Sequence, residues 1–282
     1  MKKVLFWTVM AVLAAVFLYS AWSLGSYLVE SVRNSNTYGD LQEILEQNRP
    51  SRPAVTQPTA PVPDETVPTQ PVLDEPGELV TVTDPDTGLQ VQVLPEFEKL
   101  YALNNDLVGW IEIPGTNVCY PVVQTPESPD YYLRRDFYGD HATHGCIYAK
   151  EECDVFAPSD NVTVYGHRMH DGSMFYDLLR YKDKSYFEDN PYVLFDHLTQ
   201  RHTYQILAVF QTTASVGQGF RYQAFVDAQT EADFDNFVDT CKALAYYDTG
   251  VDASYGDKLI TLSTCDYEIE NGRFVVVAKR IA

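Results

Sequence analysis

The strongest hydrophobic pattern lies at the N-terminus. An uncharged run extends from Val4 to Val29, almost wholly apolar from Val4 to Leu18 and flanked by Trp7, Tyr19 and Trp22. About 20 residues of helix cross a bilayer, so the run is long enough to span one. Lys2 and Lys3 precede it and predict a cytoplasmic N-terminus with the C-terminal bulk outside. Ser23-Leu24-Gly25 offers a cleavage site for a signal peptidase, the competing reading. The length of the apolar stretch favours a retained anchor.

Beyond the anchor the pattern weakens and then changes period. From Asp40 to Gln47 the spacing predicts a short helix, with Asp40 as cap, Glu43 closing a capping box, and Leu41, Ile44 and Leu45 on one face. Half of the 16 prolines fall between Pro50 and Pro76, and no aromatic residue occurs from Gly39 to Glu96. Such a segment buries no core and reads as a spacer; in polyproline II form it would reach roughly 80 Å. Leu79–Thr83 and Leu89–Val93 alternate around the turn formers Asp84-Pro85-Asp86-Thr87-Gly88, which predicts a hairpin. Glu96–Asn104 reads as a short helix.

Eight short strands follow: Trp110–Ile113, Val118–Val123, Cys146–Ala149, Val162–Tyr165, Tyr192–Phe195, Thr203–Thr213, Leu259–Thr264 and Phe274–Ile281. That count, with turn signals between the strands, predicts a mainly β fold closed or nearly closed into a barrel. Two helices interrupt it. Met174–Tyr181 has Met174, Phe175, Leu178 and Leu179 at helical spacing. Glu231–Tyr246 places Phe234, Phe237, Val238, Cys241, Leu244 and Ala245 on one face. The chain thus divides into an anchor (residues 1–29), a stalk and Pro-rich linker (30–95) and a globular domain (96–282).

Charge narrows the partners. The chain carries 20 basic and 40 acidic residues, a net −20, and residues 96–282 alone hold 15 basic and 29 acidic. Nucleic-acid phosphates would be repelled. Five cysteines, an odd number, leave at least one free thiol and do not suggest a disulfide framework.

One of those cysteines ends the strand Thr261-Leu262-Ser263-Thr264-Cys265, and Arg273 in Asn271-Gly272-Arg273-Phe274 opens the next. The connection Asp266–Gly272 folds the second strand back beside the first, so a thiol meets a permanently charged guanidinium. That pairing favours a thiolate and can hold a developing oxyanion. A third element, Val162-Thr163-Val164-Tyr165-Gly166-His167, delivers His167 at the end of a short alternating strand. His170, three residues on, is the alternative base.

These motifs resemble the sortases, cysteine transpeptidases that attach proteins to the Gram-positive cell wall, over about residues 96–282. A TLxTC strand end, an arginine on the following strand and an upstream histidine all occur here in order. Trp110-Ile111-Glu112-Ile113-Pro114, Tyr120-Pro121-Val122-Val123-Gln124, Tyr131-Tyr132-Leu133, Arg135-Asp136-Phe137 and the helical insert before the TLSTC strand are similar to class B. The resemblance implies an eight-stranded barrel with peripheral helices. It implies Cys265 as nucleophile, His167 as acid and base, and Arg273 as oxyanion support. Ser263, Thr264, Leu133, Phe220 and Tyr222 would contact the substrate. Its partners would be secreted proteins with a C-terminal sorting signal of NPxTx or PxTG-like type, cut after threonine, and an amine on peptidoglycan or a lipid-linked precursor. A pilin polymerase using a pilin lysine, or an inactive module that binds wall peptides, are the alternatives. The reading calls for no cofactor and no metal.

Two further patterns compete with it. His141, His144, Cys146 and Cys153 have zinc-ligand chemistry but lack tight paired spacing, and His144-Gly145-Cys146-Ile147 is similar to L,D-transpeptidase sites. Pro85-Asp86-Thr87-Gly88 spells a PxTG-like motif in the enzyme's own stalk, either an ordinary turn or a self-substrate.

Overall fold

In the computed structural model, which describes residues 2–50, 78–215 and 217–281, the N-terminal apolar run forms part of one long helix, α1 (Lys2–Asn48). It is the one helix among the described residues long and apolar enough to cross a membrane. No new helix begins at Asp40, as the sequence pattern suggested. Asn34, Asn36 and Gly39 weaken a helix without breaking it. The first proline, Pro50, comes only after α1 has ended, and it disfavours a helical residue before it. The spacer from Ser51 to Pro76 lies outside the described residues.

The chain divides into two compact units, Met1–Asp40 and Leu41–Ala282. Within the second, the last turns of α1 bury Leu41 and Leu45. Gln42 donates to the Cys119 carbonyl at 2.7 Å. Arg49 pairs with Glu112 at 2.9 Å and with buried Asp196 at 2.6 Å.

The hairpin β1 (Val80–Thr83) and β2 (Gln90–Val93) pairs antiparallel, and a short helical stretch ending in α2 (Glu98–Leu103) leads on from it. Then come β3 (Leu107–Glu112), β4 (Cys119–Val123), β5 (Ile147–Ala149), β6 (Asn161–Tyr165), α3 (Lys184–Asp189), β7 (Tyr192–His197), β8 (Thr203–Thr213), α4 (Glu231–Leu244), β9 (Leu259–Asp266) and β10 (Gly272–Arg280). The eight strands from β3 to β10 close into a barrel in the order β10-β8-β7-β3-β4-β5-β6-β9. Only β4–β5 and β6–β9 are parallel.

α4 starts at a capping box in which the Thr230 hydroxyl accepts from the Asp233 main chain and the Asp233 carboxylate accepts from Thr230. A cap of this kind contributes about 1 kcal/mol. The helix buries Phe234, Phe237, Val238 and Cys241 in a cluster with Leu207, Phe210, Val275 and Val277. It stops at Leu244, which is exposed, because Ala245 turns extended and Tyr246 bonds to Val209. The predicted helix at Met174–Tyr181 is a 3-10 segment, Tyr176–Lys182, instead. Met174 takes a left-handed φ of 59°, and the Phe175 N–H goes to the His167 carbonyl, so no helical turn can begin before Tyr176.

Candidate active site

Three neighbouring strand ends build the site. β9 lies between β6, to which it is parallel, and β10, to which it is antiparallel. Across β9 and β10, Cys265 sits directly opposite Arg273; such partners have Cβ atoms about 5 Å apart. Along β6 and β9, Tyr165 is level with Ser263, and the Gly166 N–H continues the ladder to the Ser263 carbonyl at 3.1 Å. The same offset carries His167 to the level of Cys265.

These ends open onto a cleft of about 310 Å³ lined by His167, Cys265, Arg273, Ser263, Thr264, Leu133 and Tyr222. Strand order sets its direction: Tyr148 and Tyr165 on the β5–β6 side, Cys265 in the middle, Arg273 and Thr213 on the β10–β8 side. Asp130, Lys150 and Glu151 also line the β5 end. The sequence reading missed them because no short motif marks them. Phe220 stands apart from the other expected contact residues. It packs with the rings of Phe210 and Phe237 at 6.0 and 5.8 Å, against the α4 core, and does not line the cleft. Tyr222, two residues on, does, with its hydroxyl 2.6 Å from Ser263 Oγ.

The histidine is held through its main-chain neighbours. His167 Nε2 lies 2.7 Å from the Leu133 carbonyl oxygen. A carbonyl only accepts, so Nε2 carries the proton and Nδ1 of the neutral ring is left as the acceptor. Burial pushes the His167 pKa below its ordinary value; the Leu133 bond opposes this, while Arg134 and His144 add to it. The ring is therefore neutral near pH 7. Leu133 sits in the 3-10 turn Tyr131–Arg134. Gly145, at φ +63°, lets the chain pass against its carbonyl, where a Cβ would stand 2.6 Å from the oxygen.

Gly166 is the tightest point. A Cβ there would fall within 2.7 Å of the Phe175 ring and closer still to Ile147. Phe175 in turn donates to the His167 carbonyl at 2.9 Å. Gly166→Ala should therefore cost about 1–3 kcal/mol, the usual price of overpacking. The measurement is the thermal midpoint of the full chain in detergent, expected to fall by roughly 2–10 °C. An unchanged midpoint would mean that the β6 end is looser than this packing implies.

Arg273 donates from Nη1 to the Gly272 carbonyl at 3.0 Å and the Asn271 carbonyl at 3.4 Å, which fixes the base of the guanidinium beside the cleft. Behind the nucleophile lies a pair that the sequence reading passed over, although each member directly follows a singled-out residue. Asp266, after Cys265, is buried and accepts from Gln211 Nε2 at 2.7 Å. Lys182 stands 3.4 Å from it, and Arg168, after His167, 3.8 Å. The ion pair ties the strand end bearing the cysteine to the loop leaving the histidine.

The competing groups lie elsewhere. Cys146 is buried at 1% exposure and is not among the cleft residues. His144 meets Asp171 at 2.7 Å, and the Cys153 thiol contacts the Asn161 carbonyl and the Thr163 N–H in the core. Among the described residues, no three ligating side chains gather in a way that could hold a metal. His170 is exposed and stacks on Tyr267. Pro85-Asp86-Thr87-Gly88 forms the β1–β2 turn. The Thr87 N–H and hydroxyl both bond to Asp84 at 2.8 Å, and Gly88 takes φ +70°. A hydrogen bond from Tyr101, with those from Thr87, holds the Asp84 carboxyl well below the usual range. None of the four turn residues lines the cleft.

A family model described as the Sortase domain matches residues 111–281. Sortase B of Listeria monocytogenes serovar 1/2a is 28% identical over 272 residues, covering 96% of this chain and 94% of its own. Among solved structures, sortase B from Bacillus anthracis in complex with AAEK1 superposes with a TM-score of 0.68 at 26% identity, over 90% of this chain and 98% of that one. A Staphylococcus aureus sortase B–substrate complex gives 0.61 at 32% identity, over 67% of this chain and 85% of the other.

Proposed function

The chain belongs to the sortase family, class B, and from that membership we propose that it is a membrane-anchored cysteine transpeptidase. It cleaves a sorting motif of NPxTx or PxTG-like type after threonine and transfers the new C-terminus to a cell-wall amine. The observation that supports this most is the meeting of Cys265, Arg273 and His167 from three adjacent strand ends at one cleft.

Cys265 passes its thiol proton to Nδ1 of the neutral His167 ring, making the imidazolium, and its sulfur attacks the threonine carbonyl to form a C–S bond. Charge that develops on the oxygen is met by the Arg273 guanidinium, whose fixed donors suit an oxyanion. The C–N bond then breaks as the His167 imidazolium gives its proton to the leaving amine. This leaves a thioacyl enzyme and a neutral imidazole, the form that burial favours. In the second half an amine attacks the thioester, loses a proton to His167 and displaces the sulfur. Ser263, Thr264, Leu133 and Tyr222 bind the motif along the cleft. In the cell, residues 1–29 anchor the chain with its N-terminus in the cytoplasm and residues 96–282 carry the catalysis outside the membrane; of the intervening stalk, residues 41–50 and 78–95 belong to the same compact unit as the barrel.

Intact-mass measurement tests this reading. The full chain in detergent is mixed with peptides of NPxTx and PxTG type and quenched in acid. The expected species is enzyme plus the peptide's N-terminal half, ending at threonine and mapped to Cys265. An adduct on another residue, or cleavage without an adduct at a different bond, would overturn it.

A further inference from the structure

The stretch His144-Gly145-Cys146, whose residue types suit chemistry that the cleft does not use, places a second histidine near His167. The His144 ring is fully buried, and its Nε2 lies 2.7 Å from the Asp171 carboxylate. An ionised carboxylate only accepts, so the His144 Nε2–H is the donor. A charge-assisted bond of this kind is stronger than a neutral one. Neither residue lines the cleft.

The pair joins the two elements between which His167 is held. The His167 ring bonds to the Leu133 carbonyl, which is only as steady as the turn Tyr131–Arg134 that carries it. Both neighbours of Leu133 are pinned by the segment around His144. The Ala142 N–H donates to the Arg134 carbonyl at 3.0 Å, and the Cys146 N–H donates to the Tyr132 carbonyl at 3.1 Å. Asp171 belongs to the loop that leaves His167 and returns at Phe175, whose N–H donates to the His167 carbonyl at 2.9 Å. The second oxygen of Asp171 accepts from the Ser173 N–H at 3.1 Å and from its hydroxyl at 2.6 Å, which fixes the carboxylate to that loop. The bond from His144 to Asp171 therefore ties the turn that receives the His167 hydrogen bond to the loop that continues from its main chain.

Resting on the transpeptidase reading above, we infer that His144 and Asp171 are positioning residues for His167. They keep its Nε2 on the Leu133 carbonyl and so keep Nδ1 as the atom that takes the proton of Cys265 and later that of the incoming amine. With the bond removed, the turn and the loop separate and the His167 ring gains water and a second orientation. Its pKa then rises toward the ordinary value, because burial is the main cause that lowers it. A misplacement of about 1 Å is enough to cost about 10²-fold in rate.

Two replacements of one residue separate positioning from packing and from charge. His144→Phe keeps a buried ring and removes the donor, whereas His144→Gln keeps a donor for Asp171. Both remove the imidazole that adds to the lowered His167 pKa. With the full chain in detergent cleaving a quenched peptide of NPxTx type, His144→Phe should lower kcat about tenfold or more while KM stays within about twofold, and the acid limb of kcat/KM should move to higher pH than in His144→Gln. His144→Gln should stay within about threefold of wild type. Asp171→Ala should repeat the His144→Phe result, and it decides the matter if His144→Phe does not fold. The double variant should lose no more than either single one. Rates are referred to active sites counted as thioacyl adduct by intact mass. A loss of active sites with the acid limb unmoved, equal losses in the Phe and Gln variants, or losses that multiply in the double variant would each overturn the inference. The ring is also read without turnover. In the chain carrying 15N-labelled histidine, the His167 signal, assigned as the one lost in His167→Gln, should show the fixed Nε2–H tautomer in the wild type and in His144→Gln, and a mixture of tautomers in His144→Phe and Asp171→Ala. A fixed tautomer in all four chains would sink the positioning role. An enzyme that forms no thioacyl adduct would fail the transpeptidase reading and leave the tautomer result to decide the role of the pair alone.

Discussion

Replacing Cys265 with alanine should abolish cleavage of sorting-motif peptides, a fall of about 10⁴-fold or more, because no other thiol in the chain is placed to take over. The full chain in detergent, assayed with quenched peptides of NPxTx and PxTG type, is the measurement, with Cys146→Ala as its partner variant. Cys146 is buried and lies off the cleft, so Cys146→Ala should retain most of the activity. The remaining thiols are equally unsuited. Burial pushes Cys119 and Cys153 up to about 11 and Cys241 higher still, so each stays protonated and inert at neutral pH. Cys119 and Cys265 are both partly exposed, but of the two only Cys265 lines the cleft, with the Arg273 guanidinium opposite it on the neighbouring strand. The reverse result, activity lost with Cys146 and kept without Cys265, would remove the sortase mechanism and favour L,D-transpeptidase chemistry at His144-Gly145-Cys146.

The eight barrel strands were legible because each is a short alternating or apolar run between turn formers, and local period is a property of the sequence. The Cys265–Arg273 pairing was legible for a similar reason: the two strands are joined by a short connection, so their register is nearly local. The parallel pairing of β6 with β9 is different. It brings His167 beside Cys265 across almost a hundred residues, and only the family resemblance pointed to it. Helix boundaries failed where tertiary contacts outweighed spacing. Met174 is drawn into a left-handed conformation as its N–H reaches the Tyr120 hydroxyl at 2.9 Å, and the predicted helix shrinks to a 3-10 segment. Phe220 and Tyr222 looked equivalent from position alone. Their separation into core and cleft depends on a loop whose path no periodicity encodes. Asp266 and Arg168 were hidden because a buried ion pair has no motif of its own.

Arg273→Lys should lower kcat by about 10²-fold or more, with a smaller change in KM, as loss of an oxyanion donor does. Both side chains carry one positive charge, so an effect that came from charge alone would nearly vanish in this variant. The difference lies in geometry. The guanidinium uses one nitrogen to hold the Gly272 and Asn271 carbonyls, which fixes the plane of the remaining donors on the face it shares with Cys265. A lysine ammonium is a flexible point charge and has no second nitrogen to hold while it donates. If the oxyanion is the group served, the loss appears in the step that forms the tetrahedral intermediate and leaves ground-state binding largely intact. Steady-state kinetics of the full chain with the peptide of NPxTx type read the two constants separately. A kcat equal to wild type would show that Arg273 supplies only a surface charge. A large rise in KM at constant kcat would instead assign it to holding the motif before reaction.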